Sequence, residues 1–139
     1  MSNDQVLELR LVVTTDDFDE ALRFYRDVLG LPEAPSVQSP DGRVAILNAG
    51  RATLEIADQR TAEFVDAMEV GTRVAGPIRV AFEVTDVTAT TRRLAEAGAT
   101  VLAEPRRTPF NSTNARLQAP AGLQLTIFER MPLADSALK

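Results

Sequence analysis

One pattern occurs twice in this chain, and it limits the fold more than any other feature. Arg10-Leu11-Val12-Val13 leads through Thr14 to Asp17, then into Phe18, Leu22, Tyr25, Leu29 and Gly30. The same order returns 69 residues later: Arg79-Val80-Ala81-Phe82 leads to Asp86, then to Val87, Leu94, Ala97 and Gly98. Alternating apolar residues predict a strand in each copy, and helical spacing predicts a helix after it. Asp17 and Asp86 stand where a carboxylate can accept from the free N–H groups of a helix start. Gly30 and Gly98 stand where a chain leaves a helix in the left-handed conformation.

The first helix carries Phe18, Ala21, Leu22, Tyr25, Val28 and Leu29 on one stripe, with Asp19, Glu20, Arg23, Arg26 and Asp27 on the solvated side. The second, from Val87 to Ala97, has a weaker stripe of Val87, Leu94 and Ala97, and three threonines lower its propensity. Strand material follows each helix. Residues 44–47 and 52–57 flank the turn Asn48-Ala49-Gly50-Arg51, and residues 115–118 and 123–128 flank Ala119-Pro120-Ala121-Gly122. Short strands are expected near 36–39 and 101–104, so each half reads β-α-β-β-β. Residues 61–70 form a short helix with Phe64, Val65 and Met68 inward and Glu63, Asp66 and Glu69 as its charges, and residues 71–77 connect the halves.

A β-α-β-β-β unit covers one face of its sheet with its helix and leaves the other face concave. Two such units side by side enclose a hollow. The expected fold is therefore α+β: two pseudo-twofold βαβββ modules forming a cupped, partly open mixed sheet around a cavity. The modules can meet within one chain or across a dimer interface. The 139 residues make one domain, with module 1 at about 5–60, a linker at about 61–77 and module 2 at about 78–130. The tail after Glu129 is expected to be mobile.

Composition narrows the chemistry. There is no Cys and no His, so disulfides, thiolate nucleophiles, Ser-His triads and imidazole metal ligands are excluded. The only lysine is Lys139, which removes an internal Schiff-base lysine. A net charge of −5 argues against nucleic acid as a partner. No apolar run is long enough for a bilayer. The opening Met1-Ser2-Asn3-Asp4 is unlike a signal or transit peptide, so a cytoplasmic location is expected.

The repeat, the segment Asp17-Phe18-Asp19-Glu20-Ala21-Leu22-Arg23-Phe24-Tyr25-Arg26-Asp27-Val28-Leu29-Gly30-Leu31 and the ending Pro120-Ala121-Gly122-Leu123-Gln124-Leu125 resemble the vicinal oxygen chelate superfamily. That group includes glyoxalase I, the bleomycin-resistance proteins and extradiol dioxygenases. The resemblance spans about residues 7–129 and implies paired βαβββ modules, a homodimer and a site inside the cupped sheet. It also implies four metal-ligand positions, which here hold Arg10, Glu55, Arg79 and Thr126. Two of these are guanidinium groups with no lone pair to give, so neither a metal nor another cofactor is expected.

Strand alternation gives the lining without the family. Leu9, Leu11 and Val13 should pack under the first helix, and Val80, Phe82 and Val84 under the second. Glu8, Arg10, Arg79, Glu83, Glu55, Arg116, Gln124, Thr126 and Phe128 then face the hollow. The loop at 109–114 brings Phe110 and Asn111 and is the candidate lid. Candidate ligand-binding residues are Arg10, Glu55, Arg79, Glu83, Phe110, Asn111, Arg116, Thr126 and Phe128, with Glu55 the candidate catalytic group. Two roles fit the arginines: an internal salt-bridge network with Glu55 and Glu83, or forked donors to a ligand anion. The arginine nearer Thr126, which cannot neutralise it, is the one expected to be free.

Three functions follow. The first is metal-free small-molecule binding, such as sequestration of an antibiotic or metabolite; acidic charge suits cationic drugs, but 5% aromatic residues offer little stacking. The second is a metal-independent lyase or isomerase with Glu55 or Glu83 as base. The third, ranked last without histidine, is a metal-dependent lyase or dioxygenase. A non-catalytic dimeric scaffold also fits the fold.

Overall fold

The computed structural model describes residues 6–132. The start of module 1 at residue 5 and most of the tail lie outside them. Eight strands form one mixed sheet: β1 (Val6–Thr14), β2 (Glu33–Ala34), β3 (Val44–Ala49), β4 (Ala52–Ala57), β5 (Ile78–Val84), β6 (Thr100–Thr108), β7 (Ser112–Gln118) and β8 (Gln124–Arg130). Their spatial order is β2-β3-β4-β1-β5-β8-β7-β6. Each module therefore folds its first strand parallel to its last, β1 with β4 and β5 with β8. The two first strands then pair antiparallel at the centre, Leu11 facing Val80 and Val12 facing Arg79. The modules meet edge to edge within one chain.

The repeat signals act as read. Asp17 accepts from the Glu20 N–H at the start of α1 (Phe18–Leu22), and Asp86 accepts from the Ala89 N–H at the start of α3 (Val87–Glu96). Gly30 and Gly98 have φ of +91° and +118°, conformations open to glycine at no steric cost. Phe18 and Leu22 pack on Ala45, Leu47 and Ile56. Val87 packs on Ala115, Leu117, Leu125 and Ile127, with Leu94 beside them.

Four expectations change. The first helix turns π-helical over Arg23–Val28, with Leu29 N–H donating to the Phe24 carbonyl. The wider turn carries Val28 and Leu29 off the core face, where both are exposed. The strand expected at 36–39 is a loop, because Pro35 and Pro40 have no N–H for a ladder; the edge strand is β2 instead. Leu9, Leu11 and Val13 do not pack under α1. Val80, Phe82 and Val84 do pack with the α3 cluster, Val84 beside Val87, but the rest of the β1–β5 seam is open on its outer face, with Leu9 41% and Ile78 54% exposed. Finally, the linker helix α2 (Gln59–Glu69) turns two of its acids inward: Asp66 and Glu69 are buried while Met68 is partly exposed. No helix among the described residues is long and apolar enough to cross a membrane.

Candidate functional site

The concave face holds a cavity of about 200 Å³. β1 supplies Arg10 and Val12, β4 Glu55, β5 Arg79 and Ala81, and β8 Thr126 and Phe128. These are the strand positions that alternation sets opposite the core stripes. α2 closes one side with Thr61, Val65 and Glu69, and the 35–39 loop and the β6–β7 hairpin tip form the mouth with Val37 and Phe110. The Phe110 ring meets Phe64 of α2 edge-on at 5.9 Å.

Of the predicted site residues, Arg10, Glu55, Arg79, Phe110, Thr126 and Phe128 line this cavity. Three do not. Arg116 is fully buried beneath α2, where Nη1 donates to Asp66 at 2.7 Å and to Gln124 at 2.8 Å, and Nη2 donates to Glu69 at 2.7 Å. A guanidinium so enclosed has no surface left for a ligand. Glu83 lies beyond the lining and pairs with Arg130 at 3.1 Å. Asn111 is exposed at the hairpin tip with φ +60°, donating to the Met131 carbonyl at 3.2 Å. Glu69, which the sequence offers only as one of the charges of the linker helix, also lines the cavity. Ala62, Val65, Asp66 and Glu69 share one face at helical spacing.

Charge on the concave side runs in an alternating chain. Glu83 pairs with Arg130, Arg130 with Glu8 at 3.3 Å, Glu8 with Arg10 at 3.2 Å, and Arg10 with Glu55 at 3.6 Å. From the other end, Arg73 pairs with Asp66 at 2.9 Å, Asp66 with Arg116, and Arg116 with Glu69. Arg79 stands between Glu55 and Glu69 and, among the described residues, forms an ion pair with neither. Its one hydrogen bond among them runs from Nη1 to the Thr126 hydroxyl at 2.6 Å. That hydroxyl accepts there and in turn donates to Glu69 at 3.4 Å, since a guanidinium only donates and a carboxylate only accepts. Arg79 is thus the arginine beside Thr126, and its other side-chain N–H groups have no partner among the described residues.

Arg10 is placed differently. Nε donates to Thr53 at 3.0 Å and Nη2 to Glu8 at 3.2 Å, and the guanidinium lies 5.8 Å from the Phe128 ring centre. Glu8 also accepts from Thr53. Burial works to raise the Glu8 pKa, but the Thr53 bond, Arg10 and Arg130 outweigh it and hold the carboxyl below its ordinary value. Glu55 lacks that support. Among the described residues it accepts no hydrogen bond, and Arg10 at 3.6 Å is its single ion-pair partner. Burial pushes its pKa up despite the pull of Arg79 and Arg10. Burial also lowers the pKa of Arg79, against the opposing influence of Glu69.

The donor set settles whether a metal fits. Arg10, Glu55, Arg79 and Thr126 do come together, but two are cations without a lone pair. The Thr126 hydroxyl is spent on Arg79 and Glu69. No group of three or more acidic side chains is placed to hold an ion among the described residues. These residues do not make a metal centre.

No curated protein matches the chain. Solved structures share its fold. A hypothetical protein from Bacillus halodurans C-125 is 18% identical, with TM-score 0.68 over 93% of this chain and 96% of that one. Methylmalonyl-CoA epimerase from Mycobacterium tuberculosis is 22% identical, with TM-score 0.68 over 100% of this chain and 97% of that one. A glyoxalase/bleomycin resistance protein/dioxygenase superfamily member from Vibrio splendidus 12B01 is 14% identical, with TM-score 0.60 over 88% and 98%. The family model of that superfamily matches residues 9–127, taking in both modules and every cavity residue of β1, β4, β5 and all but the last of β8. The chain belongs to the glyoxalase/bleomycin resistance protein/dioxygenase superfamily.

Proposed function

We propose that this protein binds a small organic acid without a metal ion, holding the anion on Arg79 and the apolar remainder against Val12, Ile46, Val65 and Phe128. The observation that carries this reading is Arg79 itself: a buried cation, 7% exposed, facing a cavity with no carboxylate paired to it among the described residues. A buried charge without a partner is costly, and an anionic ligand removes that cost. A volume of about 200 Å³ is below the ~300–1,000 Å³ of drug-sized sites, which favours a metabolite over a large planar antibiotic. We also propose a cytoplasmic protein that pairs as a homodimer.

The test is Arg79→Met. A thermal-shift screen of small carboxylates supplies the ligand, and calorimetry compares the variant with the native chain. Affinity should drop by about 1.5–3 kcal/mol, the range for a charge-assisted hydrogen bond, with the fold kept. Unchanged affinity would return Arg79 to a purely structural role.

Glu55 supports a second reading, a metal-independent isomerase or lyase. A carboxyl with a raised pKa, facing the cavity and free of hydrogen bonds among the described residues, suits moving a proton on or off a ligand carbon. The name of the epimerase neighbour accords with such chemistry. Incorporation of deuterium from D2O into the bound acid, lost in Glu55→Gln, separates turnover from sequestration.

A further inference from the structure

The free groups of the cavity come as a pair. Among the described residues, Arg79 on β5 has N–H groups to give and Glu55 on β4 accepts no hydrogen bond, its Oε1 lying 3.6 Å from Arg10 and its Oε2 without a partner, yet the two do not bond to each other. Both line the cavity, one from each module, and the ion-pair chain is broken between them. A ligand group placed there would meet a guanidinium on one side and a carboxyl on the other. An anion accepts from Arg79 without difficulty, but it repels an ionised Glu55.

Resting on the reading of Arg79 as an anion site, we propose that Glu55 is the second half of that site and enters it as a neutral carboxylic acid, its O–H donating to the anion. Each anion bound then brings one proton into the protein. The charges facing Glu55 are Arg10 from β1, Arg79 from β5 and Glu69 from α2, while β3 offers Val44 and Ile46. Glu69 already accepts from Arg116, Thr126 and Asn114, so its oxygens are engaged away from the gap. Arg10 is held by Glu8 and Thr53 and stays with them. The concave-side chain contains five arginines, at 10, 73, 79, 116 and 130, and five carboxylates, at 8, 55, 66, 69 and 83. A bound monoanion leaves this set one charge negative, and a proton on Glu55 restores the balance. The raised pKa of the empty site makes that proton easier to add. The ligand class is accordingly a monoanion with two acceptor oxygens, such as a short-chain carboxylate, one facing each donor.

The probe is 2-methylpropane-1-sulfonate, which stays anionic throughout, so any proton taken up must go to the protein. Calorimetry in buffers of different ionisation enthalpy counts protons from about pH 5 to 8. In the native chain, uptake should rise towards one proton per anion, and affinity should fall about tenfold per pH unit above the Glu55 pKa. Glu55→Gln keeps an N–H donor and should bind with no uptake and a flat pH profile. Carbon NMR of the native Glu55 carboxyl gives a reading that does not depend on the variant folding: its pKa should move up when sulfonate is added. Binding without uptake, abolished in Arg79→Met, would overturn this proposal and leave the anion site standing. Uptake that persists in Glu55→Gln would overturn the assignment to Glu55. No sulfonate binding at any pH would overturn both.

Discussion

Arg79 and Arg116 are the same residue type on the concave side of one sheet, and their surroundings give them opposite roles. Arg116 has Asp66, Glu69 and Gln124 around it, each within 2.8 Å of a guanidinium nitrogen. Arg79 has a threonine. Alternation along the strands put both toward the hollow, but it cannot say that α2 would lie over one of them. Nothing in the linker's own sequence marks which of its acids turn inward. Their burial follows from Arg116, whose charge makes an acidic face the better cover. Arg116→Met should therefore destabilise the fold by about 3–5 kcal/mol, because buried Glu69 loses the cation it pairs with and Asp66 is left with Arg73 alone. Arg79→Met should cost much less, since it strands no carboxylate paired to it. Urea unfolding of the two variants measures the contrast, and equal losses would mean that Arg79 is as structural as Arg116.

Elements were legible where punctuation is strong. Asp17 and Asp86 start helices and Gly30 and Gly98 end them, because a short acid side chain and a residue without Cβ solve local problems that no distant contact alters. The π-helical stretch at Arg23–Val28 was not legible, since its residues have ordinary helical spacing and the wider turn is a matter of hydrogen-bond choice. The mouth loop was misread as a strand, yet it is firmly tied. The Ser39 and Thr61 hydroxyls meet at 2.5 Å, and Asp58 accepts from both the Arg43 and Thr61 N–H groups. Gly42 makes this closeness possible: a Cβ there would lie 2.4 Å from Thr61 Oγ1 and 2.5 Å from its backbone nitrogen. Gly42→Ala should push the loop off the start of α2 and destabilise the chain by about 1–3 kcal/mol, the usual cost of overpacking. A thermal melt unchanged from the native chain would show that the contact gives way freely.

At the scale of the molecule, the pseudo-twofold was legible, and whether the cavity forms within one chain or across two was not. A repeat says that two modules pair, but the same β1–β5 ladder can form within a chain or between chains. Here it forms within one, and every cavity wall named above comes from a single chain. The open edges are poor templates for pairing with a second copy: β2 has two residues, and β6 carries Pro105, Arg106, Arg107 and two register shifts. Apolar side chains are also exposed at the outer seam, where Leu9 and Ile78 lie on the face opposite Arg10 and Arg79. A second copy that covers this seam touches the back of the sheet and adds nothing to the cavity. Replacing both Leu9 and Ile78 with Glu should therefore yield a monomer by sedimentation at micromolar concentration that still binds the native ligand with its native affinity. Separating assembly from binding in this way tests both at once. A double variant that remains dimeric would place the interface elsewhere. A monomer that has lost its ligand while keeping its native melting behaviour would mean that the site needs a wall from a second copy.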